Sequence, residues 1–93
     1  MASFICRVEI HSGTSRDYDA LHTGLNRLGW LRTIRGDSGK NYQLPTGTYV
    51  LPSSTLTAAQ LLAGAQQVAK ALHPNPMLIV ADYTIASWFL PEV

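Results

Sequence analysis

Phe4-Ile5-Cys6-Arg7-Val8-Glu9-Ile10 alternates with period two, and Tyr18, Leu21, Leu25 and Leu28 then recur at helical spacing. The change of period within residues 4–28 decides the fold class. Phe4, Cys6, Val8 and Ile10 point one way, while Ile5, Arg7 and Glu9 point the other, as in a half-buried strand. His11-Ser12-Gly13-Thr14 breaks the strand. Thr14 or Ser15 can cap a helix from about Arg16 to Leu28, since a hydroxyl there accepts from an orphan amide. Asp17 and Asp19 sit in its first turn, where the helix dipole favours negative charge. Gly29 supplies a left-handed stop.

Working outward, Trp30 to Arg35 reads as a second strand, Gly36-Asp37-Ser38-Gly39 as a turn, and Lys40 to Tyr49 as the returning strand. Pro45 and Gly47 predict a bulge or break in that strand. Pro45 to Thr57 has no clear period and reads as a strand end followed by a loop. Thr57-Ala58-Ala59-Gln60 is a capping box, with Leu56 and Leu61 as its staple. Leu61, Ala65, Val68 and Leu72 form the buried stripe of the second helix, which His73-Pro74-Asn75-Pro76 ends. Met77 to Ala81 is continuously apolar and reads as a strand buried on both faces. Ile85 to Leu90 adds an apolar C-terminal segment containing Trp88 and Phe89, expected to cover a sheet edge or enter a second subunit.

The order strand, helix, strand, strand, helix, strand predicts one α+β domain over residues 1–93. Its expected architecture is ferredoxin-like βαββαβ: a four-stranded antiparallel sheet with both helices on one face. The other face would be bare, with Ile5, Trp88 and Phe89 available to a dimer interface.

The chain has 93 residues, 46% hydrophobic and 14% charged, with a formal net charge of +1. That much apolar material with so little charge predicts burial against a second copy. No strong overall field attracts nucleic acid or membrane, so an anion must be held by a local cluster. One cysteine, Cys6, excludes an intrachain disulfide and favours a reducing, cytoplasmic home. No stretch is long enough to span a bilayer, and Met1-Ala2-Ser3-Phe4 lacks the start of a secretion signal.

The basic residues gather around the hairpin: Arg32, Arg35 and Lys40, with Arg7 expected nearby and Arg27 on the helix end. Guanidinium groups fork onto phosphate. Trp30, Tyr42 and Tyr49 are interleaved and could stack on unpaired bases. The plainer alternative is solvated strand charges and ordinary sheet packing. His11, His22 and Arg32 are the candidate catalytic residues, the histidines as acid–base groups. His22 equally suits a helix flank, and His73 suits a helix C-terminus. Asp37 could ligate a metal but better suits a turn bonding its own backbone. Asp17 and Asp19, two apart on a helix, do not face one another. Ser53-Ser54 has no adjacent base, and Cys6 reads as an inert buried thiol. The histidines, cysteine and carboxylates lack metal-ligand spacing, and the glycines match no phosphate-binding loop. No metal or other cofactor is therefore expected.

Tyr18-Asp19-Ala20-Leu21-His22, Gly29-Trp30-Leu31-Arg32-Thr33-Ile34 and Asp37 to Tyr49 together resemble a family of short bacterial proteins, the GhoS-type antitoxins of type V toxin–antitoxin systems. The strong similarity covers about a third of the chain. The resemblance implies a ferredoxin-like homodimer, similar in fold to the nuclease-like subunit of CRISPR spacer acquisition. It also implies endoribonuclease activity on the messenger of a membrane-active toxin. The acquisition subunit ends its first strand with a metal-binding aspartate, whereas this chain has Glu9-Ile10-His11, which points away from a metal-dependent nuclease.

Two functions follow as expectations. One is binding of single-stranded RNA, with metal-independent cleavage: Arg7, Arg32, Arg35 and Lys40 would hold phosphate, His11 or His22 would move protons, and Trp30 or Tyr42 would stack a base. The other is a non-catalytic homodimeric interaction module.

Overall fold

The alternation read at the start of the chain becomes β1 (Ala2–Glu9), with Phe4, Cys6 and Val8 buried and Ile5, Arg7 and Glu9 exposed. The computed structural model describes residues 2–93; Met1, quoted above with the chain's start, lies outside them. After β1 come α1 (Ser15–Arg27), β2 (Thr33–Arg35), β3 (Asn41–Gln43), β4 (Thr48–Ser54), α2 (Ala58–Leu72) and β5 (Met77–Tyr83).

Both helices start where their capping residues place them. Thr14 accepts from the Asp17 amide and Asp17 returns a carboxylate to the Thr14 amide. Thr57 and Gln60 do the same for α2. These reciprocal bonds satisfy orphan donors of the first turn. Gly29, at φ +98°, turns the chain out of α1. Leu21 and Leu25 are fully buried, but Leu28, expected on the same stripe, is 47% exposed. In α2, Ala69 takes the buried place expected of Leu72. The helices lie close together at Gly24, where a Cβ would come within 2.6 Å of Val68 Cγ1.

The sheet departs from the expected four strands. A three-stranded antiparallel sheet runs β4-β1-β5, and β2 and β3 form a separate two-stranded hairpin. Among the described residues, the second-strand region pairs with β4 only through the bridge Leu31–Val50, made of two hydrogen bonds of 2.8 and 2.9 Å. The expected returning strand, Lys40 to Tyr49, is split at Pro45 and Gly47 into β3 and the start of β4. Proline cannot donate a ladder bond, and Gly47 turns at φ +83°. Within Pro45 to Thr57, read as a strand end followed by a loop, Thr48–Ser54 is strand: β4 runs seven residues through Pro52.

Register fixes the faces. Cys6 lies between Tyr49 and Val80, and Ile5 between Val50 and Ala81. The Cys6 face packs under the helices in a core that includes Phe4, Val8, Leu21, Leu25, Trp30, Tyr49 and Ala65. Val50 points the opposite way from Tyr49, as strand neighbours must. It joins a second cluster with Ile34 and Leu44, against which Tyr42, Tyr83, Trp88 and Leu90 pack.

The far face is therefore not bare, as the sequence reading had it. Its β4 side is covered by the hairpin and the C-terminal segment of the same chain. That segment is tied to β3 by Gln43 N–H donating to Pro91 O and Val93 N–H donating to Asn41 O, both at 2.9 Å. Trp88 consequently packs on its own chain rather than standing free for a partner. The β5 side stays open: Met77 is 60% and Ile79 65% exposed, which corrects the expectation that this strand is buried on both faces. Ile5, also on this face, and Phe89, beyond β5, are exposed as well.

Candidate functional site

Tyr49 has no exposed surface, yet it carries a hydroxyl. A buried phenol needs a polar partner, and here that partner is His22, whose Nδ1 lies 2.5 Å from Tyr49 Oη. The two rings pack with centroids 5.6 Å apart. Helix α1 presents His22 one position after core Leu21, so its ring flanks the core and is only half-buried. Tyr18, one turn earlier, accepts a hydrogen bond from Ile10 N–H at 3.1 Å, and its ring lies 6.4 Å from that of His22.

A shallow polar cleft of about 290 Å³ opens beside this group. Tyr18, His22, Arg32 and Thr46 line it together with Thr14 and Ser15 at the head of α1. Asp19 also lines it and opposes an anion there. Arg32 is exposed, and its guanidinium makes no hydrogen bond or ion pair among the described residues. Its backbone carbonyl accepts from Leu44 N–H and from Gln43 Nε2, which fixes the residue while leaving the side chain available. Arg7 reaches around the end of β1 to donate from Nη1 to Val8 O and Thr46 O, each at 3.1 Å. Gly47 makes room for it: a Cβ there would collide with Arg7 Nη1 and with Val8 O.

The electrostatics follow from this arrangement. Burial and then the Arg32 charge hold His22 below the usual histidine range, against a smaller opposing pull from Asp19. His22 is therefore neutral at physiological pH. Burial raises Tyr49 well above the ordinary phenol range, with Arg32 and Arg7 acting weakly the other way, so it stays protonated. Tyr49 Oη has His22 as its only hydrogen-bond partner among the described residues. Its proton therefore goes to Nδ1, which assigns His22 the tautomer with hydrogen on Nε2. The cleft is thus lined by a neutral N–H donor and an unengaged guanidinium, a set suited to an anionic oxygen.

The other candidates are distributed differently. His11 lies exposed in the turn after β1, and no hydrogen bond or ring contact among the described residues joins it to His22. Trp30 is 1% exposed within the core, so it offers no face to a base; its expected stacking role is overturned by burial. Lys40 pairs with Glu92 at 3.6 Å. Arg35 and Tyr42 line a different cleft, with Trp88. The basic residues therefore form no single patch: Arg32 and Arg35 line separate clefts, Arg7 reaches Thr46 beside the first, and Lys40 is paired with Glu92.

Cys6 is fully buried, and burial pushes its thiol up to about 12. No group of three or more His, Cys, Asp or Glu side chains among the described residues could hold a metal ion. No helix among them is long and apolar enough to cross a membrane.

Sequence reasoning missed Thr46, and took Tyr49 as a stacking aromatic rather than the buried partner of His22. The register of Tyr49 opposite Cys6 puts its hydroxyl under α1. Comparison with protein-family models finds no match, and comparison with curated proteins finds none either.

Proposed function

We propose that this chain binds single-stranded RNA, gripping one phosphate in the cleft between His22, Arg32 and Arg7. The observation that carries the reading is the unpaired Arg32 guanidinium beside a histidine whose tautomer is set by a buried phenol. Arg32 supplies the fork, and His22 supplies a neutral donor that costs no proton uptake. Arg7, already tethered at Nη1, adds positive charge at the rim. The resemblance to GhoS-type antitoxins, and to their ferredoxin-like relatives, supports RNA over other phosphate carriers. The β4-β1-β5 order with the Leu31–Val50 bridge is compatible with that topology.

Metal-independent cleavage would ask more of the same residues. A general base at His22 needs an unprotonated Nε2 facing the ribose hydroxyl, the opposite tautomer from the one Tyr49 favours. The geometry therefore supports binding ahead of catalysis. The test is fluorescence anisotropy of a labelled single-stranded RNA, titrated over a range of salt with a chelator present. Arg32→Ala should weaken binding and lower the salt slope by about 0.7, one phosphate on a single strand. Equal affinity and slope in an Arg7→Ala, Arg32→Ala double variant would remove the proposal. A gel of the same mixtures reads cleavage directly.

A second reading, a homodimer, is favoured by Ile5, Met77 and Ile79, which lie exposed beside the unpaired edge of β5. An open, largely apolar edge invites strand pairing. Light scattering should show a dimer that Ile79→Lys converts to monomer; a monomer at high concentration in the parent protein would end this reading.

A further inference from the structure

A cleft of about 550 Å³ lies between the β2–β3 turn and the C-terminal segment, and it shares no lining residue with the His22 cleft. Its volume falls in the range of small-molecule sites. Its walls combine three aromatic rings, Tyr42, Tyr83 and Trp88, with Arg35, Asp37 and Ser38. Thr84 and Ser87 add hydroxyls from the other lip.

Trp88 is held firmly in this wall. Its ring packs on Tyr42 with centroids 5.7 Å apart and interplanar angle 55°. It also contacts the second hydrophobic cluster yet remains only half-buried. Gly36 allows this approach, because a Cβ there would come 3.2 Å from Tyr42 Cε1 and 3.4 Å from Trp88 Cζ2. A Cβ there would touch Trp88 and require Tyr42 to shift by a few tenths of an ångström. Arg35 makes no hydrogen bond or ion pair among the described residues. Its Nη2 lies over Gly39, where a Cβ would sit 3.4 Å away, so the guanidinium folds back toward the turn that forms one lip. Lys40, the other cation of this hairpin, is engaged by Glu92. Among the described residues, Arg35 is therefore the unpaired cation at this cleft, and the Asp37 carboxylate lines it as well.

We propose that this cleft is a nucleotide subsite, stacking an unpaired base on Trp88 and holding its phosphate on Arg35. An anchored indole presents an apolar π-face at little entropic cost, which suits any base. A guanidinium suits the phosphate that such a base carries. Asp37, Ser38, Thr84 and Ser87 give acceptors and donors for ribose hydroxyls and exocyclic groups. The favoured source is a nucleotide within single-stranded RNA, and in that form the inference rests on the RNA reading above. A free mononucleotide offers the same chemistry.

The test uses the full chain with two probes, a short single-stranded RNA containing 2-aminopurine, and guanosine monophosphate alone. Stacking on Trp88 should change the 2-aminopurine emission. Trp88→Leu should abolish that change and weaken RNA binding by roughly 5- to 150-fold, the range of a lost base–aromatic stack. Trp88 also packs on the hairpin, so Arg35→Ala, at an exposed position, is the second variant; it should weaken binding and lower the salt slope while leaving thermal unfolding unchanged. Binding of guanosine monophosphate with the same sensitivity to both variants supports the subsite and assigns a free nucleotide as its source. If wild type binds RNA and both variants match it in affinity and emission, the subsite is overturned while the His22–Arg32 reading stands. If Arg35→Ala weakens binding and Arg32→Ala does not, the subsite stands and that reading falls. If the protein binds neither probe, both are overturned.

Discussion

Replacing Tyr49 with phenylalanine removes one oxygen from a residue with no exposed surface, and the consequences separate into stability and tautomer. The lost atom has His22 Nδ1, 2.5 Å away, as its hydrogen-bond partner. The ring and its packing against Cys6 and the helices remain. Because His22 is only half-buried, water can reach its ring, so no fully desolvated acceptor is stranded. The expected cost is that of one net hydrogen bond, about 0.5–1.5 kcal/mol. For a domain of this size that lowers Tm by roughly 2–10 °C, read by circular dichroism. Long-range nitrogen–proton NMR correlation reports the second effect. In the parent protein, the proton of neutral His22 should sit on Nε2, with Nδ1 unprotonated. In Tyr49→Phe the two tautomers should exchange, and RNA affinity should fall about twofold, since the donor form is then populated about half of the time. A proton found on Nδ1 in the parent protein would refute the argument, since Tyr49 would then be accepting. Unchanged stability together with unchanged affinity would refute it equally.

The remaining expectations use other features. Gly47→Ala places a Cβ against Arg7 Nη1 and Val8 O at a positive φ, so it should cost about 1–3 kcal/mol and weaken RNA binding through displaced Arg7, measured by urea unfolding and anisotropy. Gly24→Ala gains helix propensity but meets Val68, and the overpacking should win, with a net loss of about 1–2 kcal/mol in the same unfolding assay. His22 has a lowered folded-state pKa, so the unfolded chain binds its proton more readily; stability should fall as pH drops through the ordinary histidine range and level off below the folded value. His22→Gln should remove that component from stability curves taken across the range. The Cys6 thiol, buried and raised to about 12, should resist alkylation in native buffer and label rapidly in urea; fast native labelling would contradict the packing of β1.

Local chemistry made the elements legible. The alternation of Phe4 to Ile10, the Thr14 and Thr57 caps and the Gly29 stop each act within a few residues, so sequence reports them directly. What failed was long-range. Nothing local to Trp30–Arg35 says that its backbone pairing with β4 is a single bridge at Leu31, or that Pro91 and Val93 bond to β3 instead. The run Met77 to Ala81 looks buried because every residue is apolar, yet burial depends on what covers the face, and the C-terminal segment covers the β4 side. His22 and Arg32 were legible as chemistry-bearing residues; the pairing of His22 with Tyr49 was not, because only sheet register brings Tyr49 under α1. Trp30 was misread for the same reason: an aromatic beside arginines looks like a stacking platform until the core closes over it.

The closing of the hairpin by Pro91–Val93 has a consequence for synthesis of the protein. β1 is made first, but one of its two partner strands, β5, emerges late, and the hairpin gains its last hydrogen bonds only when Val93 clears the ribosome exit. Until then, the nascent chain holds an unpaired β1 edge and an uncovered Val50 face. Chains stalled within α2, which lack β5 and the segment that closes the hairpin, should therefore be protease-sensitive along nearly their whole length.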